Sequence, residues 1–225
     1  PEMEQSAALA NLRLALHRLR ETFERVQAGV GETLLHSTRQ TLQLDPLVTM
    51  VDVNQFQKLL TACTTHVHAE LVRCAECHTR LMQAVALYGG ELLAGFGLPD
   101  APAFEEWLLL RREHLHQQAM VALHTLVQSY EQQGDDLQAH HYARRQLELD
   151  PSREEAHRQL MRSLARRGLR NEALSQYESC RRILHQELGV APDPETVALY
   201  EQIRSGQIDK AQPAQSQPLA PSALP

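Results

Sequence analysis

Four side chains with metal-binding chemistry lie close together in the sequence. His66 and His68 are separated by one residue, and Cys74 and Cys77 follow as a C-x-x-C pair. Two imidazoles and two thiolates are suitable ligands for tetrahedral zinc, and four protein ligands leave no open position for a substrate. A zinc ion bound here would therefore be structural rather than catalytic, and no other cofactor is expected. The alternative is that the cysteines are small buried residues and the histidines are exposed.

The same stretch contains the pattern of c-type haem attachment, C-A-E-C-H, at residues 74–78. Haem attachment occurs in exported proteins, no signal peptide is visible, and a five-residue pattern arises easily by chance. We therefore expect no haem, although a zinc- or haem-dependent sensor stays open as a rival hypothesis. The other two cysteines, Cys63 and Cys180, are expected to be core residues.

A helix near the start of the sequence must position the second candidate site. Ser6 can act as the N-cap of a helix that runs to about Gln27 and is stopped by Gly29 and Gly31. Its apolar residues alternate three and four apart, which predicts one continuous buried stripe. The stripe consists of Leu9, Leu12, Leu16, Leu19, Phe23 and Val26.

The side opposite this stripe carries candidate DNA contacts. These are Asn11, Arg13, His17, Arg18 and Arg20. A helix that is packed on one side and cationic on the other can enter a major groove, where Arg contacts guanine edges or phosphates and Asn reads adenine. The alternative is a solvated surface helix of an ordinary bundle.

An alternating stretch from Thr33 to Leu44 predicts a β-hairpin that breaks near residues 38–40. His36, Thr38 and Arg39 are weaker candidates for a DNA contact from this hairpin. No other stretch carries a convincing strand signal, so the sequence predicts a mainly α protein.

An internal repeat organises the second half of the sequence. Gly134 and Gly168 are 34 residues apart, and so are Ala139 and Ala173. This is the tetratricopeptide period, with glycine in the turn between paired helices and a small residue where they pack closely. Two helix pairs are too few for a freestanding solenoid, so flanking helices must complete the core.

The segments around the repeat give further expectations. A long helix from Phe104 to Gly134 follows a Gly- and Pro-rich loop, which a buried Trp107 is expected to anchor. The acidic pair at 154–155 is interpreted as part of a solvated helix face. Residues 205–225 are rich in Pro, Gln, Ala and Ser, which predicts a disordered linker.

Composition and motifs exclude several classes of protein. The net charge of −6 argues against a protein that coats nucleic acid through bulk charge. No stretch approaches the roughly 18 apolar residues of a membrane span. Four cysteines do not form a disulfide scaffold in a chain of this length, so a reducing cytoplasm is the expected location. The absence of a phosphate loop, a nucleophile elbow or an HExxH motif gives no indication of an enzyme.

Three blocks closely resemble the bacterial transcriptional activator domain of SARP-type (antibiotic regulatory protein) and related regulators. They run from GELLAGFGLPDAPAFEEWLLLRREHL through RRQLELDPSREEAHRQLMRSLARRG to EALSQYESCRRILHQELGVAPDPETVALYEQI, and ELGV followed by PxPET and LY is the most specific part. The resemblance covers about residues 52–204. It implies a tetratricopeptide-like α-solenoid domain there.

Members of this family place a winged-helix DNA-binding domain directly before that module. Here ALANLRLALHRLRETF resembles its recognition helix and residues 34–44 its wing, although Thr41-Leu42 stands where the family has Gly-Tyr. Residues 1–45 would thus be a partial winged helix whose earlier elements lie outside the sequence. Larger members carry an ATPase domain afterwards, which would suit the linker.

The resemblance implies a transcription activator that binds promoter DNA through the intact winged helix. The repeat domain would supply surfaces for dimerisation, RNA polymerase contact or coupling to a downstream domain. The alternative is a tetratricopeptide-like interaction scaffold that does not bind DNA.

Overall fold

The computed structural model describes residues 5–38, 41–45, 47 and 49–207 of the chain. These residues form a mainly helical protein with a two-stranded hairpin, which confirms the predicted fold class. The chain divides into two compact units, Pro1–Gln55 and Phe56–Pro225, and each is considered by itself. No described helix is long and apolar enough to cross a membrane.

The first unit contains two helices followed by the hairpin. Its elements are α1 Gln5–Val26, α2 Val30–Leu34, β1 Leu35–Ser37, β2 Leu42–Leu44 and the start of α3, Asp52–Thr65. The strands are antiparallel, with Leu35 opposite Leu44. Because α1 already begins at Gln5, Ser6 lies inside the helix, and its predicted role as the N-cap is wrong.

The glycines after α1 give rise to a short helix that the sequence did not predict. The Glu24 carboxylate accepts hydrogen bonds from the backbone N–H groups of Gly29 and Gly31, at 2.7 and 2.8 Å. A carboxylate at the unpaired N–H groups of a helix start is favourable, so the chain resumes as α2. This takes residues 33 and 34 out of the predicted hairpin, which is shorter than expected.

The apolar stripe of α1 is exposed in the described part of the chain. Leu9, Leu12 and Leu19 keep 44%, 52% and 40% of their accessible surface, and only Leu16 and Phe23 are half-buried. The prediction of a continuous buried stripe is therefore wrong here. An amphipathic pattern shows which side of a helix can be buried, but it does not show what covers that side.

The second unit is a succession of packed helices around one core. After the end of α3 come a 3-10 helix Leu71–Arg73, α4 Ala75–Leu87, α5 Pro102–Gln133, α6 Asp136–Leu149, α7 Glu154–Arg166, α8 Arg170–Glu187 and α9 Pro194–Ser205. From α5 to α8 each helix packs on the next, and α9 packs on α7 and α8. The core includes the fully buried Leu126 and Met161, together with Ile203 of α9.

The 34-residue repeat appears as two turns with the same geometry. Gly134 and Gly168 adopt the left-handed conformation, with φ of 73° and 80°. The residue after each glycine donates its N–H to the carbonyl five residues earlier, as in a Schellman motif. Ala139 and Ala173 are completely buried, as a close approach between helices requires.

The loop before α5 is anchored differently from the prediction. Trp107 retains 51% of its accessible surface, so its expected burial is wrong. Arg112 fastens the loop instead, because its guanidinium donates to the carbonyls of Leu92, Leu93 and Phe96 at 2.8, 2.7 and 3.3 Å. Irregular loop carbonyls need donors, and a long cationic side chain supplies several at once.

Candidate DNA-contacting helix and candidate metal centre

The polar residues of α1 form two rows along the helix. Arg13, His17 and Arg20 are spaced i, i+4 and i+7, so they share one side. Asn11 and Arg18 are seven residues apart and share another. All are exposed except Arg20, which is half-buried, and His17 Nε2 lies 3.6 Å from Glu21 Oε1.

Arg20 connects α1 to the hairpin. Its Nη2 donates to the Leu35 carbonyl at 3.2 Å and to Ser37 Oγ at 2.9 Å. These contacts fix strand β1 beside the helix. The structure thus gives Arg20 a positioning role within the unit, while Arg13 and Arg18 stand on the exposed surface.

The hairpin is closed by hydrogen bonds across its turn. The Thr38 and Thr41 backbones pair at 2.9 Å, and their hydroxyl oxygens lie 2.8 Å apart. Nearer its open end, His36 Nε2 lies 2.9 Å from Asp45 Oδ2. The hydrogen bond from His36 lowers the pKa of the Asp45 carboxyl below its usual range. Arg39, the remaining candidate, lies outside the described residues.

The four candidate zinc ligands come together in the second unit. One ligand atom each from His66, His68, Cys74 and Cys77 lies within 4.8 Å of all the others. Cys77 Sγ is 3.8 Å from His68 Nδ1. The histidines follow the end of α3, Cys74 is the N-cap of α4, and Cys77 lies in the first turn of α4.

The two thiols of this cluster differ in their surroundings. Cys74 Sγ accepts a hydrogen bond from the backbone N–H of Cys77 at 3.5 Å, which lowers the pKa of its thiol. Cys77 is completely buried, and burial raises the pKa of its thiol to about 12. Cys63 donates its S–H to the Cys77 carbonyl at 3.7 Å and belongs to the core, as expected.

Charged side chains surround the cluster. His66 Nε2 lies 3.6 Å from Glu76 Oε2, and Glu76 also pairs with Arg80. Arg80 in turn donates to the Ala62 carbonyl of α3 at 3.2 Å. These contacts connect the end of α3 with the first turns of α4 on the side of the cluster.

The family described as "Bacterial transcriptional activator domain" matches residues 51–204. The chain belongs to this family. The recognition from sequence of a SARP-type activator domain is thereby confirmed, and the family is one of transcription regulators.

Two known proteins are similar to this activator-domain chain. The regulatory protein AfsR of Streptomyces griseus is 30% identical over 214 residues, which are 93% of this chain and 20% of AfsR. A solved structure of EmbR of Mycobacterium tuberculosis, in complex with a low-affinity phosphopeptide, is similar in fold. That match has a TM-score of 0.57 and 20% identity, and it covers 91% of this chain and 52% of EmbR. The chain thus spans about a fifth of AfsR and half of that EmbR chain.

The structure explains the PxPET block by which the sequence resembles activator domains. Glu154 of α7 accepts hydrogen bonds from the Asp193 N–H at 2.9 Å and from Thr196 Oγ1 at 2.7 Å. Arg158 donates to the same Thr196 hydroxyl at 3.0 Å. The completely buried Thr196 therefore joins α9 to a carboxylate and a guanidinium of α7.

These contacts continue along α7 as a chain of ion pairs. Arg162 bridges Glu155, at 3.0 Å, and Glu131, at 3.4 Å, and Arg166 pairs with Glu131 and Asp136 at 3.0 and 2.5 Å. The interpretation of residues 154–155 as a solvated face is therefore wrong. Sequence reasoning missed this role, and the only signal was the alternation of Glu and Arg at helical spacing.

Proposed function

We propose that this protein regulates transcription by binding promoter DNA through α1 and the hairpin that follows it. The observation that carries the proposal is the exposed cationic surface of α1, held in place beside an antiparallel hairpin. Arg13 and Arg18 are the residues proposed to contact bases or phosphates, because both are exposed and neither closes the hairpin. Asn11, His17, Thr38 and Arg39 stay secondary candidates.

The proposal is tested by gel shift with the natural full-length protein and the DNA upstream of its own gene. Arg13→Ala and Arg18→Ala are each expected to weaken binding about tenfold or more, since a good Arg contact contributes about 1–3 kcal/mol. Arg181→Ala is the matched control, because it removes an exposed arginine from α8 of the second unit. Undiminished binding in both α1 variants would contradict the assignment.

The variant Arg20→Ala tests whether Arg20 positions the hairpin or contacts DNA itself. It is expected to weaken DNA binding through loss of the Leu35 and Ser37 hydrogen bonds. Faster amide hydrogen exchange in residues 35–44 should accompany that loss, whereas Arg13→Ala should leave exchange there unchanged. Weaker binding by Arg20→Ala with normal exchange would assign Arg20 to the DNA surface instead.

The repeat unit is proposed to contact a protein partner, such as RNA polymerase, a second copy or a further domain. An open groove of about 620 Å³ between α6, α7 and α8 supports this role. Its lining combines Arg144, Glu148, Glu172 and Asn171 with apolar side chains, which suits a peptide segment that carries both charged and apolar groups.

Variants in this groove also distinguish the proposed regulator from the alternative, an interaction scaffold that does not bind DNA. Ser175→Trp places a bulky side chain in this groove, and Glu178→Trp on the same helix is the control outside its lining. We expect Ser175→Trp to reduce activation of a reporter while the gel shift is retained. Loss of partner binding with no gel shift in any variant, including wild type, would support the scaffold.

A further inference from the structure

We infer that His66, His68, Cys74 and Cys77 form a structural zinc site that fastens the connection between α3 and α4. The inference is independent of DNA binding, because the cluster lies in the second unit. Three of the four residues are half-buried and Cys77 is fully buried, so the ligands converge at the edge of the core rather than on open surface.

The spacing of the ligand atoms fits a zinc tetrahedron. With Zn–S of about 2.3 Å and Zn–N of about 2.0–2.1 Å, ligand atoms around zinc stand about 3.3–3.8 Å apart. Cys77 Sγ and His68 Nδ1 already lie at 3.8 Å. All remaining pairs lie within 4.8 Å, which leaves little movement for binding.

The connection between the two helices is held by a few polar contacts and by half-buried apolar side chains. Between Cys63 and Cys77 no residue is fully buried, and of these thirteen residues only Leu71 and Cys74 are half-buried apolar groups packed against the core. The hydrophobic effect therefore holds this segment less strongly than the helices on either side of it. Val67 is 96% exposed between the two histidines, whose side chains instead approach the cysteines. A shared metal ion would add a cross-link within this segment.

The surroundings also suit bound zinc. The Cys77 N–H points to Cys74 Sγ, and such a donor favours a thiolate ligand. Histidines that bind metals commonly donate their other ring N–H to a carboxylate. Glu76 Oε2 lies 3.6 Å from His66 Nε2, so this carboxylate stands close to where such a partner would be.

Metal content tests the inference directly. The 225-residue chain, purified with a reductant and dialysed against buffer that contains zinc and then buffer without it, is measured by plasma mass spectrometry. We expect one zinc per wild-type chain, and less than a tenth of that in Cys74→Ala and in His68→Gln. Cys180→Ala is the matched control, because it removes a buried thiol far along the sequence in α8 and should keep the zinc.

Cobalt(II) gives a second readout that reports the ligand set. Wild type and Cys180→Ala should show the visible absorption of tetrahedral cobalt and a thiolate charge-transfer band, and Cys74→Ala should lose intensity in both. Chelation should lower the melting temperature of wild type by about 5 °C or more and leave that of Cys74→Ala unchanged.

Several results would overturn the inference. One is a wild-type chain with native circular dichroism and no zinc, and another is full zinc content in both ligand variants. A Cys74–Cys77 disulfide that persists under reductant in place of zinc would overturn it too. If Cys74→Ala fails to fold, His68→Gln decides, because His68 lies in the connection between the helices, whereas Cys74 caps α4.

Discussion

Among single residues, Gly31 lies where the start of α2 packs tightly against α1. A Cβ there would lie 2.7 Å from the Arg20 carbonyl oxygen and 3.0 Å from Glu24 Oε1. The first of these is backbone, which cannot move aside as the end of a side chain can. A side chain at this position would therefore separate the two helices and break the Glu24 hydrogen bonds.

We expect Gly31→Ala to destabilise the start of α2 by about 1–3 kcal/mol. Amide hydrogen exchange at residues 29–37 should become faster by one to two orders of magnitude. Gly89→Ala is the control, since a Cβ at Gly89 would meet no atom within 4 Å. Equal exchange in wild type and Gly31→Ala would show that α2 can shift without cost.

His157 is a buried imidazole inside a hydrogen-bonded network. Its Nε2 donates to the Pro151 carbonyl at 2.9 Å, so its Nδ1 accepts from Gln176 Nε2 at 2.6 Å. Burial lowers the pKa of His157, although the Pro151 carbonyl opposes the shift. The folded protein thus holds this ring neutral more firmly than the unfolded chain does.

A lowered histidine pKa makes the stability depend on pH. The contribution is fully present above the unfolded pKa of about 6.5 and is lost as pH falls toward the folded pKa. We expect His157→Gln to be less stable at pH 7.5 but to lose less stability than wild type between pH 7.5 and 5.0, measured by urea unfolding. Cys180→Ala is the control, because burial raises its thiol pKa to about 12, outside that range. Identical pH dependence in wild type and His157→Gln would contradict this assignment.

At the scale of elements, α9 depends on polar contacts with α7 as well as on apolar burial. Its N-cap, Asp193, makes no side-chain capping hydrogen bond. Glu154 of α7 satisfies the Asp193 N–H and the Thr196 hydroxyl instead. The start of α9 is therefore capped by a neighbouring helix, which couples the formation of α9 to tertiary packing.

Replacing Thr196 by Val should weaken the attachment of α9 to α7 and lower the stability of the protein. The change keeps the shape of the buried side chain but removes the hydroxyl that Glu154 and Arg158 share, at a cost of about 1–3 kcal/mol. Glu154 keeps its hydrogen bond from the Asp193 N–H, and Arg158 keeps its contact with Glu155. The free energy of unfolding from urea titration measures it, with the exposed Thr64→Val as control. A stability loss no larger than that of Thr64→Val would show that water replaces the hydroxyl.

Elements with local signals could be predicted from the sequence, whereas contacts between distant residues could not. The repeat is predictable because Gly134 and Gly168 recur at a 34-residue spacing, and each of them occupies a left-handed turn that favours glycine. The four metal candidates lie within twelve residues, so local spacing sufficed to group them. Glu154 and Thr196 are 42 residues apart, and no spacing rule announces their hydrogen bond.

At the scale of the whole molecule, the negative net charge opposes the proposed binding to DNA, which is also negatively charged. The net charge is −6, so its average field repels DNA. Binding must therefore come from a few local contacts on α1, where Arg13 and Arg18 are exposed. A protein of this kind should show a weaker dependence on salt than a strongly basic one.

The salt dependence of DNA binding tests this balance. Each arginine that neutralises a phosphate releases about one counterion, so the slope of log K against log salt reports the number of such contacts. If Arg13 or Arg18 contacts a phosphate, we expect its replacement by Ala to reduce the slope by about 1. If the residue contacts a base instead, the slope should stay the same and the preference for the specific DNA sequence should become weaker. The two readouts therefore assign each arginine to the backbone or to a base edge. If a variant changes neither the slope nor the sequence preference, its residue does not contact DNA. If both variants behave in this way, no contact on α1 offsets the negative charge, and the proposed DNA surface on α1 is wrong.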